Sequence, residues 1–201
     1  MQIKISKFSI YEPSHENPSE LPKLEYCDPL FKRRLSQISR MTIEAVHGLG
    51  EGVTECKLVF ASFRGEINRQ QKINKSLAED ADVLPAQFSI SVFNTPPAVT
   101  TIALKMKKGY TAIYPAQNNF RSAFMAACAP VLCGEEEKII FAYADEVIPE
   151  ELKNCKNSSD SFPVAFACVI TNSGEGKEID FNSPELNSPE SFMFYLKKEN
   201  S

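Results

Sequence analysis

The segment from Tyr110 to Cys128 constrains the fold of this chain more than any other stretch. Residues 110–115 alternate β-branched and aromatic side chains, whereas the residues from Asn118 onward repeat apolar side chains at helical spacing. We therefore expect a strand, a sharp corner at Gln117 and a helix. Such a corner presents one side chain, several backbone N–H groups and the positive end of the helix to whatever lies in front of it. Enzymes place nucleophiles at such corners, but this corner carries an amide.

The same reading of periodicity along the chain predicts an α/β fold. Buried strands are expected at 1–10, 56–62, 138–144 and 164–171. Helices are expected at Pro29–Leu49, at 66–79, and on either side of the strand at 110–115, with Ile102 and Met125 on their buried faces. The segment Pro85–Asn94 fits either a helix or a strand. Pro130 should end or kink the helix that follows Gln117, because proline lacks the N–H that the helix needs.

Composition excludes several classes of function. The 201 residues carry a net charge of −4, which argues against nucleic acid as a partner. The N-terminus alternates polar and apolar residues, unlike a signal peptide, and no apolar run reaches the length of a membrane span. We therefore expect a cytoplasmic protein with no membrane partner.

Cysteine and histidine usage limits the chemistry that the chain can perform. The six cysteines lie far apart without a Cys-x-x-Cys pair, which favours buried free thiols over disulfides or zinc: Cys27, Cys56, Cys128, Cys133, Cys155 and Cys168. His15 and His47 are the only histidines. We expect no metal site and no cofactor. A hydrolase using Ser62 or Ser122 would lack both the Gly-x-Ser-x-Gly motif and a suitable histidine.

Charged residues follow two of the predicted strands. Arg64 and Glu66 come after the strand at 56–62, and Asp145 and Glu146 after the strand at 138–144. Ligands of open α/β sheets gather at these strand ends, so a functional role is one interpretation. A surface ion pair for the first two residues and a solvated strand end for the others are the interpretations that we favour.

Four motifs, taken in order, resemble one known family: Phe60-Ala-Ser-Phe-Arg-Gly-Glu-Ile-Asn-Arg, Pro85-Ala-Gln-Phe-Ser-Ile-Ser-Val-Phe-Asn, the corner at 110–125, and Phe141-Ala-Tyr-Ala-Asp-Glu. Together they resemble the N-terminal half of a β-ketoacyl synthase of the thiolase fold. They are most similar to the chain-length-factor-like subunits of bacterial aryl polyene pathways. The resemblance implies a mixed central sheet flanked by helices in a domain at 1–171. A polar C-terminal tail with a short terminal helix would follow at 172–201.

The resemblance also implies that the chain is not catalytic on its own. Condensing synthases carry an acyl-accepting cysteine at the corner, and Gln117 occupies that position here, as in chain-length factors of type II polyketide systems. Cys128 lies about three helical turns further along. The catalytic histidines of the family belong to the second half of a synthase, and no histidine follows His47.

Thiolase-fold subunits pair through the strand that leads into the corner. Carried over to this chain, the resemblance makes residues 110–114 an edge strand, with Tyr110, Ala112 and Tyr114 at the subunit interface. It also assigns six residues to the corner and to the wall of an acyl tunnel: Phe93, Asn94, Gln117, Asn118, Phe120 and Phe124. The expected partner is a full-length ketosynthase in a heterodimer, which would engage acyl carrier protein through the complex.

Three functions are consistent with these features of the sequence. The first is a non-catalytic subunit that stabilises an active ketosynthase and shapes its acyl tunnel in aryl polyene biosynthesis. The second is a malonyl-carrier decarboxylase that uses Gln117 to prime a chain. The third is a homodimeric scaffold that binds acyl carrier protein through Lys32, Arg33 and Arg34.

Overall fold

A computed structural model describes residues 3–79, 83–153 and 162–198 of the chain. Six strands form one sheet: β1 (Ile3–Tyr11), β2 (Lys57–Ala61), β3 (Tyr110–Ile113), β4 (Lys138–Asp145), β5 (Val164–Thr171) and β6 (Lys177–Ile179). Their order across the sheet is β3-β2-β4-β5-β1-β6. The first three of these strands are parallel, whereas β5, β1 and β6 are each antiparallel to the strand before them in that order. The predicted mixed sheet is thus confirmed.

Within the described ranges, seven α-helices accompany the sheet: α1 (Pro29–Arg33), α2 (Gln37–His47), α3 (Ile67–Glu79), α4 (Pro85–Phe88), α5 (Thr95–Ala103), α6 (Phe120–Leu132) and α7 (Pro189–Lys197). α2 covers one face of the sheet, and α6 and α7 cover the other. Strand β4 contributes to both cores by alternation, because successive strand side chains point to opposite faces. Phe141 joins the α6 side, and Ala142 joins the α2 side. The result is a three-layer α/β/α fold.

The prediction of a single helix over Pro29–Leu49 is wrong. Two N-cap residues start two separate helices in this segment. Asp28 Oδ1 accepts from the backbone N–H groups of Leu30 and Phe31 at 2.9 and 3.0 Å, which starts the short α1. Ser36 Oγ accepts from the backbone N–H of Ser39 at 3.2 Å and starts α2. The apolar spacing runs through both helices and therefore hid the break.

Two other segments differ from expectation. The ambiguous stretch Pro85–Asn94 forms the short helix α4 followed by a turn. Pro130 lies inside α6, which continues to Leu132 rather than ending near Ala129. Proline in the last turn of a helix removes only one hydrogen bond, so the helix can continue past it.

The polar residues after Thr171 also join the fold. β6 pairs with β1, and Phe192 and Leu196 of α7 lie in the same apolar core as α6, with 0% and 3% of their surfaces exposed. The terminal helix expected in the 172–201 segment is therefore present and packs on the sheet. In the described part of the chain, no helix is long and apolar enough to cross a membrane.

Candidate functional site

The strand–corner–helix unit lies where the three parallel strands end. β3 leads into Pro115, and a turn at Ala116–Asn118 places Gln117 at φ 53° and ψ 32°. A residue other than glycine pays about 1 kcal/mol or more in this left-handed region. The predicted sharp corner at Gln117 is thus confirmed, and we call residues 114–119 the elbow. α6 begins at Phe120, slightly later than expected, with the Asn119 side chain accepting from the backbone N–H of Ser122 at 3.0 Å.

The elbow presents the side-chain amide of Gln117 to solvent. Gln117 is exposed, whereas Cys128 is fully buried in α6, and burial raises the pKa of its thiol to about 12. His15 packs against Phe162, and His47 stacks on Tyr26, so both histidines contact other parts of the fold. Among the described residues, neither a cysteine nor a histidine lies in the elbow, which presents the Gln117 amide and the backbone N–H groups at the start of α6.

Most of the cysteines are buried thiols, as the sequence predicts. Cys27, Cys56, Cys128 and Cys168 are buried and free, whereas Cys133 is free and exposed. Cys155 lies outside the described residues. Within the described ranges, no cluster of three or more His, Cys, Asp and Glu side chains is arranged to hold a metal ion.

Phe93 and Asn94 secure both ends of β3. The Phe93 ring meets Tyr114 edge-on with centroids 5.6 Å apart, and the Asn94 side-chain amide donates to the Tyr110 hydroxyl at 3.0 Å. Gly65 makes room for this contact, because a Cβ at that position would lie 2.7 Å from Phe93 Cδ2. We call Phe93 and Asn94 the clamp. The structure therefore brings together four of the residues singled out in the sequence.

Phe120 and Phe124 lie elsewhere. Both are completely buried, and both pack against Phe141 and Phe192 in the core between α6, α7 and the sheet. They support the elbow's helix from beneath and present no surface to solvent. Asn118 lies in the elbow turn itself.

β3 is the edge strand that the sequence predicts, since β2 is its partner in the described sheet. Exposed apolar side chains flank it: Tyr114 is 64% exposed, Ile102 on α5 is 67% exposed and Met125 on α6 is 46% exposed. The prediction that Ile102 and Met125 are buried is wrong. Each lies two residues, or about 200° of helical rotation, from a buried position, Thr100 and Ala127, and so faces away from the core.

The acids after β4 are buried, so the expectation of a solvated strand end is wrong. Asp145 Oδ1 accepts from the Ser62 hydroxyl at 2.7 Å and from the backbone N–H groups of Phe63 and Arg64 at 3.2 and 3.1 Å. Glu146 accepts from the backbone N–H groups of Ile38 and Asn68 at 3.4 and 3.1 Å. Asp145 thus fixes the loop after β2, whereas Glu146 joins the first turns of α2 and α3.

Glu66 completes this network and does not form the expected surface pair with Arg64. Its carboxylate is buried, accepts from the hydroxyls of Ser36 and Ser39 at 2.7 Å each, and pairs with Arg69 Nε at 3.0 Å. Burial, followed by the charge of Glu66, raises the pKa of Glu146 to about 7. The network positions the helices around the strand ends, and Ser36, Asn68, Arg69 and Glu146 also line a concave pocket of about 480 Å³ beside them.

Stability should fall as the pH rises through the titration of Glu146. Its pKa is higher in the folded chain, at about 7, than its ordinary value of 4.5, so folding favours the protonated form. Its stabilising contribution is present below the ordinary pKa and is lost as the pH rises through the folded pKa, at a cost of roughly 3 kcal/mol. Urea unfolding of Glu146→Gln between about pH 5 and pH 8 should show a flatter dependence than the parent chain.

The matched control for this prediction is Glu150→Gln, since Glu150 has an exposed carboxylate paired with Lys153. Its pH profile should follow that of the parent chain. Parallel profiles for the parent and Glu146→Gln would contradict the prediction.

Known proteins share both the sequence pattern and the fold of this chain. The family model described as "Beta-ketoacyl synthase, N-terminal domain" matches residues 9–193. A search of curated protein sequences finds no match.

Solved structures with a similar fold include three of particular relevance. A ketosynthase in complex with its chain length factor from Xenorhabdus doucetiae matches with a TM-score of 0.70 and 21% identity, covering 87% of this chain and 80% of that one. The ishigamide ketosynthase/chain length factor matches with a TM-score of 0.70 and 11% identity, over 89% of this chain and 64% of that one. A β-ketoacyl synthase from Burkholderia phymatum matches at 0.64 and 11% identity, over 85% and 59%. At these identities the likeness establishes a shared fold.

Proposed function

Because this chain belongs to the β-ketoacyl synthase family, through the N-terminal domain of that family, we propose that it is a chain-length-factor-like partner of an active ketosynthase. It has no condensing activity of its own. It stabilises the ketosynthase and shapes the tunnel that receives the growing acyl chain, in an aryl polyene pathway.

One observation carries this proposal: the elbow holds a strained backbone around an amide side chain that is not a nucleophile. Gln117 adopts a left-handed conformation that is unfavourable for residues other than glycine. Such strain persists only where the surrounding structure imposes it, and it concentrates at functional positions. A strained elbow without a nucleophile fits a role in shaping a partner's site better than a role in a reaction of its own.

The position of the elbow supports a heterodimer. It is the end of an edge strand whose backbone groups offer pairing to another sheet, and exposed apolar residues lie on both adjoining helices. In this assembly Tyr110, Ala112 and Tyr114 lie at the interface. The clamp and Gln117 contribute to the tunnel wall, whereas the buried Phe120 and Phe124 hold that wall in place. Acyl carrier protein is engaged through the complex.

Co-expression with candidate ketosynthases, followed by size-exclusion chromatography, tests the proposal. The expected result is a stable one-to-one complex with a full-length ketosynthase. A monomer that binds none of the candidates would overturn it.

Within such a complex, Gln117→Ala should leave the condensation rate within about two-fold of the parent, because the amide has no chemical role in the proposal. Single-turnover kinetics of the complex measures this rate. A complex in which the nucleophilic cysteine of the ketosynthase partner is changed to alanine serves as the inactive control. Loss of condensation in Gln117→Ala would show that the amide itself participates.

A decarboxylase is the second candidate, and the exposed Gln117 amide beside the start of α6 favours it. An amide N–H and a helix N-terminus can stabilise the enolate that forms when malonyl carrier loses carbon dioxide. Carbon dioxide release from malonyl carrier by the isolated chain, abolished in Gln117→Ala, would establish this function in place of the first.

A carrier-binding homodimer is the third candidate. α1 buries none of its residues, and it presents the exposed Leu30 beside Lys32 and Arg33. A dimer of the isolated chain that binds acyl carrier protein and loses this binding in a Lys32, Arg33 and Arg34 triple alanine variant would support it.

A further inference from the structure

A concave site lies away from the elbow and from the buried carboxylates. It is a cavity of about 450 Å³ between the end of β1, the loop at 20–26 and the last turns of α2. Its wall includes Tyr11, Glu20, Tyr26, Glu44 and His47. We call it the Tyr26 cavity. None of these residues takes part in the proposed partner surface.

The aromatic wall is held in a fixed position. The Tyr26 ring stacks on His47 with centroids 3.6 Å apart and planes 11° from parallel, and its hydroxyl donates to Glu44 Oε2 at 2.9 Å. The ring is nevertheless 42% exposed. Such a ring is pre-organised for a ligand, because its conformational entropy is already lost before binding.

The loop that closes the cavity is also anchored. Lys32 Nζ donates to the Lys23 carbonyl at 3.0 Å, and the Gln37 side-chain amide donates to the Glu20 carbonyl at 3.2 Å. At the base of the loop, Leu24 is buried, with 1% of its surface exposed. The cavity therefore exists before any ligand arrives.

Negative charge dominates the lining. Glu20, Glu25 and Glu44 contribute three carboxylates against the single lysine Lys23. The negative end of α2 adds to them, because Glu44 and His47 lie in its last turn. Burial, and then the charges of Glu20 and Glu44, raise the pKa of Tyr11, which is consistent with a negative potential inside the cavity.

We propose that the Tyr26 cavity binds a small organic ammonium ion. Carboxylates and aromatic rings together favour such a cation, since the ring faces attract positive charge and the apolar parts of the ligand contact the rings. A bare metal ion fits less well, because no metal-binding group of side chains is present among the described residues. We expect the ammonium group to contact the carboxylates of Glu44 and Glu20, which share the cavity wall with Tyr11 and Tyr26.

Tetramethylammonium is the probe, and tert-butanol is its neutral counterpart of similar shape. Titration of the full chain at low ionic strength, followed by NMR of the Tyr and His ring protons, should give saturable shifts with the cation and none with the alcohol. Glu44→Gln and Tyr26→Leu should each weaken binding about five-fold. Glu178→Gln, an exposed carboxylate on β6 at the opposite end of β1, should leave it unchanged.

Three results would overturn the proposal: no saturable shift with tetramethylammonium, an equal response to tert-butanol, or undiminished binding in both cavity variants. Thermal unfolding of each variant shows whether it is folded before binding is measured. The Tyr26→Phe variant provides a second check on the Tyr26 position, because it keeps the ring and should retain more binding than Tyr26→Leu. The outcome does not depend on whether the chain binds a ketosynthase.

Discussion

Ala112→Pro is expected to weaken the complex with the ketosynthase by about 100-fold while leaving the isolated chain folded. Residues of a parallel strand alternate between the two neighbouring edges. The Leu58 backbone N–H donates to the Gly109 carbonyl at 3.1 Å, so Thr111 and Ile113 turn their backbone groups towards β2. Ala112 therefore directs its N–H to the open edge. Proline removes this donor and places its ring in the path of an incoming strand.

The expected loss of affinity is on the order of 100-fold, since an unsatisfied buried partner group costs about 1–3 kcal/mol before the steric effect of the ring is added. Biolayer interferometry on the purified subunits measures it. Ala112→Ser is the matched control, because it keeps the N–H and nearly the same side-chain volume. Unchanged affinity in Ala112→Pro would exclude strand pairing at this edge, whereas unfolding of the isolated variant would show that the Ala112 N–H serves the fold.

Phe124→Ala is expected to destabilise the chain by about 3–5 kcal/mol, the usual cost of truncating a fully buried phenylalanine. Phe124 is fully enclosed, and its ring lies 5.5 Å from Phe141 and 5.2 Å from Phe192 between centroids. Its removal leaves a void among aromatic rings that cannot easily collapse. Urea unfolding of the isolated chain measures the loss.

Met125→Ala is the control within the same helix. Met125 is 46% exposed, so its truncation should change stability by less than about 1 kcal/mol and should instead weaken association with the partner. If Phe124→Ala left stability intact and changed the length of the partner's product, Phe124 would line the tunnel as the family resemblance implies. The two adjacent residues thus distinguish support of α6 from contact with the partner.

The sequence predicted the elbow well because its determinants are local. An alternating strand, Pro115 and two asparagines after Gln117 specify a strand end and a turn without reference to distant residues. The edge position of β3 could not be predicted from local sequence. It followed from the resemblance to a family, since no property of residues 110–114 alone determines which strands lie beside them.

The burial of Asp145, Glu146 and Glu66 could not be predicted in the same way. Their partners are backbone N–H groups, hydroxyls and the Arg69 guanidinium, and the segments that supply them lie up to 108 positions away, as for Ile38 and Glu146. A carboxylate is solvated by default. Its burial is tolerable here because the loop after β2 bonds Asp145 and the first turns of α2 and α3 bond Glu66 and Glu146. The sequence therefore indicated that the charged residues at the strand ends were of interest, but their structural role depends on contacts with distant segments.

The C-terminal segment presents the same difficulty. Its polar composition favoured a tail, yet a few apolar residues, Leu186, Phe192 and Leu196, are sufficient to join it to the core. Helical spacing placed Phe192 and Leu196 on one face, but whether that face met the sheet depended on β6 pairing with β1.

The two edges of the described sheet differ in how readily they could pair with a strand of another subunit. At the β6 end the last strand has only three residues, and Tyr195 of α7 lies across it, with its hydroxyl donating to the Glu178 carbonyl at 3.3 Å and its ring under Lys177 Nζ. Short, charged and partly covered edges resist further pairing. In the described sheet, the β3 end is the edge with exposed apolar residues beside it. If the proposed complex forms through that end, assembly would stop at two subunits, and the continuous sheet would be finite and could not propagate into a fibre.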